Sequence, residues 1–203
     1  MKIICIGRNY AEHAKEMKAE TPTEPVFFMK PDTALINNND PFYFPKFSKE
    51  VHYETEIVLR IHKNGKNIQK QFAHKYFDKI SVGIDFTARD LQAQCKAKGL
   101  PWEKAKSFDG SGVIGSLVSI EKYKDIKDIN FHLDINGKTV QQGNTKDLIF
   151  SFETVIEYIS GFITLRTGDL IYTGTPVGVG PVNIGDRLEA YIEDEKLLDF
   201  EVK

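Results

Sequence analysis

A mainly β fold with a few helices (α+β), curled around a core, is what this sequence predicts. Two observations carry the prediction. Short apolar or alternating runs bounded by turn residues outnumber helical runs, and the second half is mostly of this kind. Strand-like and helix-like pieces also fail to alternate, which argues against βαβ units and for a barrel-like β core decorated by helices.

Each element follows from local chemistry. "KIICIG" reads as a buried strand, and "NYAEHAKEMKAE" as a helix with Asn9 at its N-cap. Pro22 and Pro25 break that pattern before the strand-like "VFFMK", and an irregular run rich in Asn and Pro spans Pro31 to Lys49. "HYETEIVLRI" is strand-like, and Asn64-Gly65 after it predicts a hairpin turn. "ISVGIDF" runs directly into "TARDLQAQCKAKG", a helix with Thr87 as cap, Asp90 three residues on and Gly99 as stop. "FHLDINGKTVQQG" alternates on both sides of Asn136-Gly137, a second hairpin. "SFETVIEYISGFITL" has helical spacing, with Ser151 as cap and Val155, Ile156, Ile159 and Phe162 or Ile163 toward a core. "DLIYTG", "DRLEAYIED" and "LLDFEV" close the chain as strands.

Composition narrows the function classes. The 203 residues are 41% hydrophobic, which suits a single domain over 1–203. Lys and Arg total 27 against 29 Asp and Glu, scattered without blocks, so neither a nucleic-acid nor a membrane surface is expected. Only Cys5 and Cys95 are present, far apart, which suits a reducing compartment. "IICI" is too short for a signal segment and no run approaches a membrane span, so a soluble cytoplasmic protein is expected.

Glu54 and Glu56 share one face of their strand, with Cα atoms roughly 6–7 Å apart. Two carboxylates that close repel unless water or a cation separates them, so the pair is either a solvated face or half of a metal site. Asp85 ends an otherwise apolar run, where it can cap a helix or bind an ion. Three hard oxygen donors without a His or Cys cluster would suit Mg²⁺, Mn²⁺ or Ca²⁺ rather than Zn²⁺. His52 and His74 are weaker ligand candidates, since a lone His is more often structural. Arg89 and Gln92 follow Asp85 on one helix face and would aim a guanidinium and an amide at whatever Asp85 faces. Lys106 stands in "PWEKAKSFDGSG", where a lysine beside a divalent cation could stabilise an enolate. "TGTPVGVGP" lacks the ending of a P-loop and fits a tight loop that brings backbone N–H groups and the Thr175 hydroxyl to a small anion. His13 and Glu16, three apart on the first helix, can form a general-base pair.

In order along the chain, "GRNYAEHAKEM", "EPVFFMKP", "HYETEIVLRI", "GIDFTARDLQ", "KGLPWEKAKSFDGSG" and "LIYTGTPVGVGP" resemble the fumarylacetoacetate hydrolase family. The likeness is to its small single-domain branch of acylpyruvate hydrolases and oxaloacetate decarboxylases or tautomerases. The resemblance implies a rolled β-sheet barrel, a homodimer, and one Mg²⁺ or Mn²⁺ held by Glu54, Glu56 and Asp85. It implies that His13 and Glu16 activate water from a mobile lid over residues 9–25, and that Lys106 is the active-site lysine. Arg89, Gln92, Lys30 and Thr175 match substrate-contacting positions, and the N-terminal domain of larger relatives is not expected here. The implied substrate is a small 2-oxo dicarbonyl acid. Hydrolysis of an acylpyruvate, such as acetylpyruvate or fumarylpyruvate, stands slightly ahead of oxaloacetate decarboxylation or tautomerisation. The alternatives are 2-hydroxyhepta-2,4-diene-1,7-dioate isomerase-type activity, or a non-catalytic dicarboxylate-binding protein, which would keep the metal ligands but not need the dyad.

Overall fold

Strand β1 (Ile3–Ile6) leads through Gly7 and Asn9 into helix α1 (Ala11–Glu16), and β2 (Phe27–Lys30) returns antiparallel to β1. The computed structural model describes residues 1–17 and 20–203, so Lys18 and Ala19 of the expected first helix lie outside the described residues. Next come β3 (Leu35–Ile36), β4 (Val51–Tyr53), β5 (Thr55–Ile61), β6 (Phe77–Asp85) and β7 (Thr87–Ala88). Helices α2 (Arg89–Lys98) and α3 (Glu103–Lys106) precede β8 (Gly112–Ile114) and β9 (Val118–Ser119). The remainder carries β10 (Asn130–Ile135), β11 (Lys138–Asn144), α4 (Phe152–Phe162) and β12 (Leu170–Tyr172). It ends with β13 (Gly180–Pro181), β14 (Arg187–Ile192) and β15 (Glu195–Glu201).

The result is a mixed α+β fold dominated by strands, with a curled half-barrel sheet in the order β2-β1-β12-β5-β6-β8-β3. Four further strands pair as β11-β10-β14-β15, and a small sheet joins β13, β4 and β7. Aromatic side chains fill the core: Phe42 stacks on Phe86 at 4.0 Å between ring centroids, and Phe200 meets Phe86 edge-on.

Topology places one rim of the large sheet apart. β12 runs parallel to β1, β5 antiparallel to β12, and β6 antiparallel to β5. The outgoing ends of β1, β12 and β6 therefore meet the incoming end of β5. Gly7–Asn9, Thr173–Gly174, Asp85 and Glu54–Thr55 converge there.

Several local expectations hold. Asn136 and Gly137 take φ of 52° and 76°, as a two-residue hairpin between β10 and β11 requires. Ser151 Oγ accepts the Thr154 N–H at the start of α4, and Gly99 ends α2 in the left-handed region at φ 62°. Phe152, Val155, Ile156 and Ile159 of α4 are buried, worth about 1.5–3 kcal/mol per large side chain. Phe162 is exposed, and Ile163 packs against the core in its place.

Others are corrected. Asn9 does not cap α1: Tyr10 holds that position without a side-chain bond, and Asn9 is a cross-tie. Its Nδ2 donates to Phe150 O (3.0 Å) and Thr173 O (2.8 Å), and its Oδ1 accepts from Phe150 N (2.7 Å). Thr87 is not the cap of α2 either, because it pairs with His52 in the small sheet and Ala88 precedes the helix. Asn64-Gly65 makes no hairpin: a 3₁₀ turn (Lys70–Lys75) lies between β5 and β6, and Gly65 pairs with Leu165. Gly65 is needed for space, since a Cβ there would fall 2.4 Å from the Tyr76 ring. "HYETEIVLRI" also breaks, at Glu54, into β4 and β5.

Candidate active site

The break at Glu54 builds the site. Glu54 O accepts the Asp85 N–H (2.8 Å), which locks the end of β6 to the gap. Thr55 N–H turns instead to the Gln141 side chain (3.0 Å to Oε1). Glu54, Glu56 and Asp85, all buried, thereby offer oxygens that lie within 4.8 Å of one another.

Three buried anions need compensation, and three buried or half-buried cations supply it. Lys106 Nζ lies 2.7 Å from both Glu54 Oε2 and Asp85 Oδ2. Arg89 donates through Nη2 to Glu54 Oε1 (2.7 Å) and through Nη1 to Gln92 Oε1 (2.7 Å). Lys30 Nζ lies 2.8 Å from Asp85 Oδ1 and donates to Ser111 Oγ and Lys106 O. Asp85 Oδ1 is nonetheless buried without a properly directed hydrogen bond.

Glu54 and Glu56 answer differently to this environment. Burial works to raise the Glu54 carboxyl, but Lys106, Arg89 and His13 together outweigh it and hold Glu54 well below the usual carboxylate range. Glu56 is raised well above that range by burial and by the charges of Asp85 and Glu54, with the Gly174 N–H in partial opposition. Lys106 is raised above the usual ammonium range, because Asp85 and Glu54 overcome its burial.

The glycine-rich loop serves the protein's own anions. Gly174 N–H donates to Glu56 Oε2 (2.6 Å) and Gly178 N–H to Glu16 Oε1 (3.1 Å). Gly174 has φ 105°, and a Cβ on it would sit 2.6 Å from Asn9, so only glycine brings this N–H to Glu56. The Thr175 hydroxyl donates to Thr55 O (2.9 Å) and accepts from Gln141 Nε2 (2.8 Å), and the residue is buried.

Helix α1 closes one side. His13 is buried, and its Nδ1 lies 3.0 Å from Glu16 Oε2, which leaves Nε2 for other partners. A narrow cleft results, lined by Arg8, His13, Met17, Glu54, Arg89, Gln92, Lys96, Trp102 and Lys106.

The structure thus brings His13, Glu54, Arg89, Gln92 and Lys106 to one cleft, with Glu56 and Asp85 joined to it through Glu54. Lys30 sits behind Asp85, and Thr175 faces Gln141 and Thr55. His52 bonds Glu50 and exposed His74 lies in the Lys70–Lys75 turn, both outside the carboxylate cluster. Arg8, Lys96 and Gln141 escape sequence reasoning, whereas the glycine-rich loop was expected to offer backbone N–H groups to an anion, and the Gly174 N–H meets Glu56 of the protein itself. For Lys96 a signal exists, since Arg89, Gln92 and Lys96 share one face of α2 by their spacing. The donor set fits a hard divalent cation: three clustered carboxylates, one oxygen without a directed hydrogen bond, and no sulfur or imidazole in the cluster. No helix among the described residues is long and apolar enough to cross a membrane.

Comparison with known proteins agrees with this geometry. The family model for the fumarylacetoacetate (FAA) hydrolase C-terminal region matches residues 2–202. The mouse mitochondrial oxaloacetate tautomerase FAHD1 is 42% identical over 201 residues, 99% of this chain and 91% of that protein. A fumarylpyruvate hydrolase from Pseudomonas aeruginosa, solved in complex with Mn²⁺ and pyruvate, superposes with a TM-score of 0.94 at 36% identity, covering 100% of this chain and 89% of that one. A fumarylacetoacetate hydrolase family protein from Yersinia pestis CO92 reaches 0.96 at 40% identity, covering 100% and 93%. Matched from end to end in both sequence and fold, the chain belongs to the fumarylacetoacetate hydrolase family.

Proposed function

We propose that this protein is a divalent-metal-dependent enzyme of small 2-oxo acids, with keto–enol tautomerisation of oxaloacetate as its main reaction. One observation carries the reading. A buried carboxylate triad is clasped by Lys106 and Arg89, beside an imidazole whose ring is held by Glu16. Near-full-length similarity to an oxaloacetate tautomerase supports placing this reaction ahead of hydrolysis, the reverse of the order drawn from sequence.

Glu54, Glu56 and Asp85 would hold Mg²⁺ or Mn²⁺. When bound, such an ion supplies Lewis acidity toward carboxylate and keto oxygens. Arg89 and Gln92, already joined to each other, orient the carboxylate of the 2-oxo acid. Lys106 provides positive charge where the enolate oxygen develops, in a setting from which water is largely excluded. His13 moves the proton at C3 through Nε2, while Glu16 fixes the ring through Nδ1. Trp102 and α1 narrow the cleft around the reacting carbons.

Hydrolysis of acylpyruvates is the second reading, favoured by the same His13–Glu16 pair. There Nε2 takes a proton from water as it attacks the distal carbonyl, and the C–C bond breaks to leave the enolate of pyruvate.

A panel assay decides between them: oxaloacetate, acetylpyruvate, fumarylpyruvate and 2-hydroxyhepta-2,4-diene-1,7-dioate, on chelator-treated protein with and without added Mg²⁺ or Mn²⁺. Metal-dependent oxaloacetate interconversion exceeding every other rate is expected. Faster acylpyruvate cleavage would promote the second reading. Metal-dependent binding without turnover would leave a dicarboxylate-binding protein.

A further inference from the structure

Two cations of the cleft wall have no part in the reaction just described. Arg8 follows β1 after Gly7, Lys96 lies one helical turn beyond Gln92, and both line the cleft with Arg89 and Gln92. Lys30, Arg89 and Lys106 are each committed to a carboxylate. Arg8 and Lys96 have no ion-pair partner among the described residues. Lys96 is steadied by Trp102, whose ring centroid lies 5.5 Å from its Nζ. Exposed on one side, its ammonium is pushed below the usual range by partial loss of solvent on the cleft side and by the charges of Arg89 and Arg8.

Charge balance gives the pair a purpose. The three buried carboxylates are matched by Lys30, Lys106 and Arg89. A divalent ion adds two positive charges, and the 2-oxo-acid head removes one. Arg8 and Lys96 add two more, against the one negative charge of Glu16 behind His13, so a ligand with a single negative charge leaves the cleft positive. A second negative charge on the ligand, located away from the head group, relieves this surplus where it is greatest.

We propose that Arg8 and Lys96 form a second anion subsite that receives the distal carboxylate of a 2-oxo diacid, so that the cleft selects dianions over 2-oxo acids ending in a neutral group. The proposal rests on the 2-oxo-acid reading above, and it assigns the discrimination to the mouth of the cleft instead of to the carboxylate triad.

Calorimetry on the full, Mn²⁺-loaded chain separates the two. Pyruvate serves as a head group alone, and 3,3-difluoro-oxaloacetate as a dianion that cannot enolise. Arg8→Gln and Lys96→Gln should each weaken difluoro-oxaloacetate by about tenfold, the scale of one charge-assisted hydrogen bond, and change pyruvate less than twofold. Arg8→Lys and Lys96→Arg should restore most of the loss. Lys96 is exposed, so its variants keep the test intact should Arg8→Gln fold poorly. Equal weakening of both ligands would reduce the pair to general attraction and overturn the subsite, as would no weakening of either. If neither ligand bound the unaltered protein, the 2-oxo-acid reading itself would fall, before any variant was made.

Discussion

Gln141 stands in for a neighbouring strand at Thr55: its Oε1 accepts the Thr55 N–H at 3.0 Å, between the two glutamates of the triad. Its Nε2 donates to Thr175 Oγ1 and Pro176 O, both at 2.8 Å, so one buried amide ties β5 to the glycine-rich loop. Gln141→Leu keeps the volume and strands these groups. A loss of roughly 1–3 kcal/mol per stranded group is expected in denaturant unfolding. Mn²⁺ affinity by electron paramagnetic resonance should fall about tenfold, as the spacing of Glu54 and Glu56 relaxes. Full Mn²⁺ affinity in a destabilised variant would confine Gln141 to the fold.

Glu56 is the triad member to neutralise. Glu54→Gln or Asp85→Asn would also break buried pairs with Lys106, Arg89 or Lys30, at about 3–5 kcal/mol. Glu56 has no cationic partner within ion-pair distance among the described residues, and burial with the neighbouring charges of Asp85 and Glu54 disfavours its ionisation. A carboxyl raised on folding stabilises the fold while protonated, fully so below the unfolded value near about 4.3. That contribution is lost as pH rises through the folded value. Chelator-treated Glu56→Gln should therefore melt higher than the unaltered protein, by a margin that widens from acid toward alkaline pH. It should gain nothing from Mn²⁺. A margin that narrows with rising pH would contradict the sign.

Lys106 bridges Glu54 and Asp85 as well as facing the cleft, so Lys106→Met is expected to act twice. It should lower kcat for oxaloacetate by ~10²-fold or more, the scale of losing an oxyanion donor, and it should destabilise the fold. Unchanged kcat with a raised KM would make the lysine a substrate clamp.

The His13–Glu16 pair is testable as a unit. His13→Ala and Glu16→Ala should each depress acylpyruvate hydrolysis strongly, with the double variant little worse than His13→Ala. Multiplicative rate losses would show that the two act separately. Glu16 also receives the Gly178 N–H, so Glu16→Gln, which keeps an acceptor there, should fall between the unaltered protein and Glu16→Ala.

The sequence was most legible where a rule involves few neighbours. Asn136-Gly137 needs only its own backbone angles to be a hairpin, and Ser151 needs only the turn after it to be a cap. Asn64-Gly65 carries the same signal, but Asn64 Oδ1 accepts the Thr167 N–H and Gly65 pairs with Leu165, partners remote in sequence. Asn9 obeys the same logic, because Phe150 and Thr173 outcompete the local cap. The triad was visible as two glutamates on one strand face, although the strand breaks between Tyr53 and Thr55. Gln141 was invisible, since a polar residue in an alternating strand looks like one that faces water.

Asn9 has a mechanical consequence. It is bonded to Phe150 on one side and Thr173 on the other, and it immediately precedes Tyr10 and α1. A rod clamped at one end moves as a lever, with arc length growing with distance from the clamp. If α1 opens the cleft, His13 sweeps a short path, and Glu16, roughly 4.5 Å further along the axis at 1.5 Å per residue, sweeps a longer one. The Glu16–Gly178 contact then acts as the latch and Asn9 as the pivot, so the imidazole returns to nearly the same place at each closure. Hydrogen exchange with Mn²⁺ and oxalate should show this as a gradient: protection unchanged at Asn9 and Tyr10, and rising toward Met17.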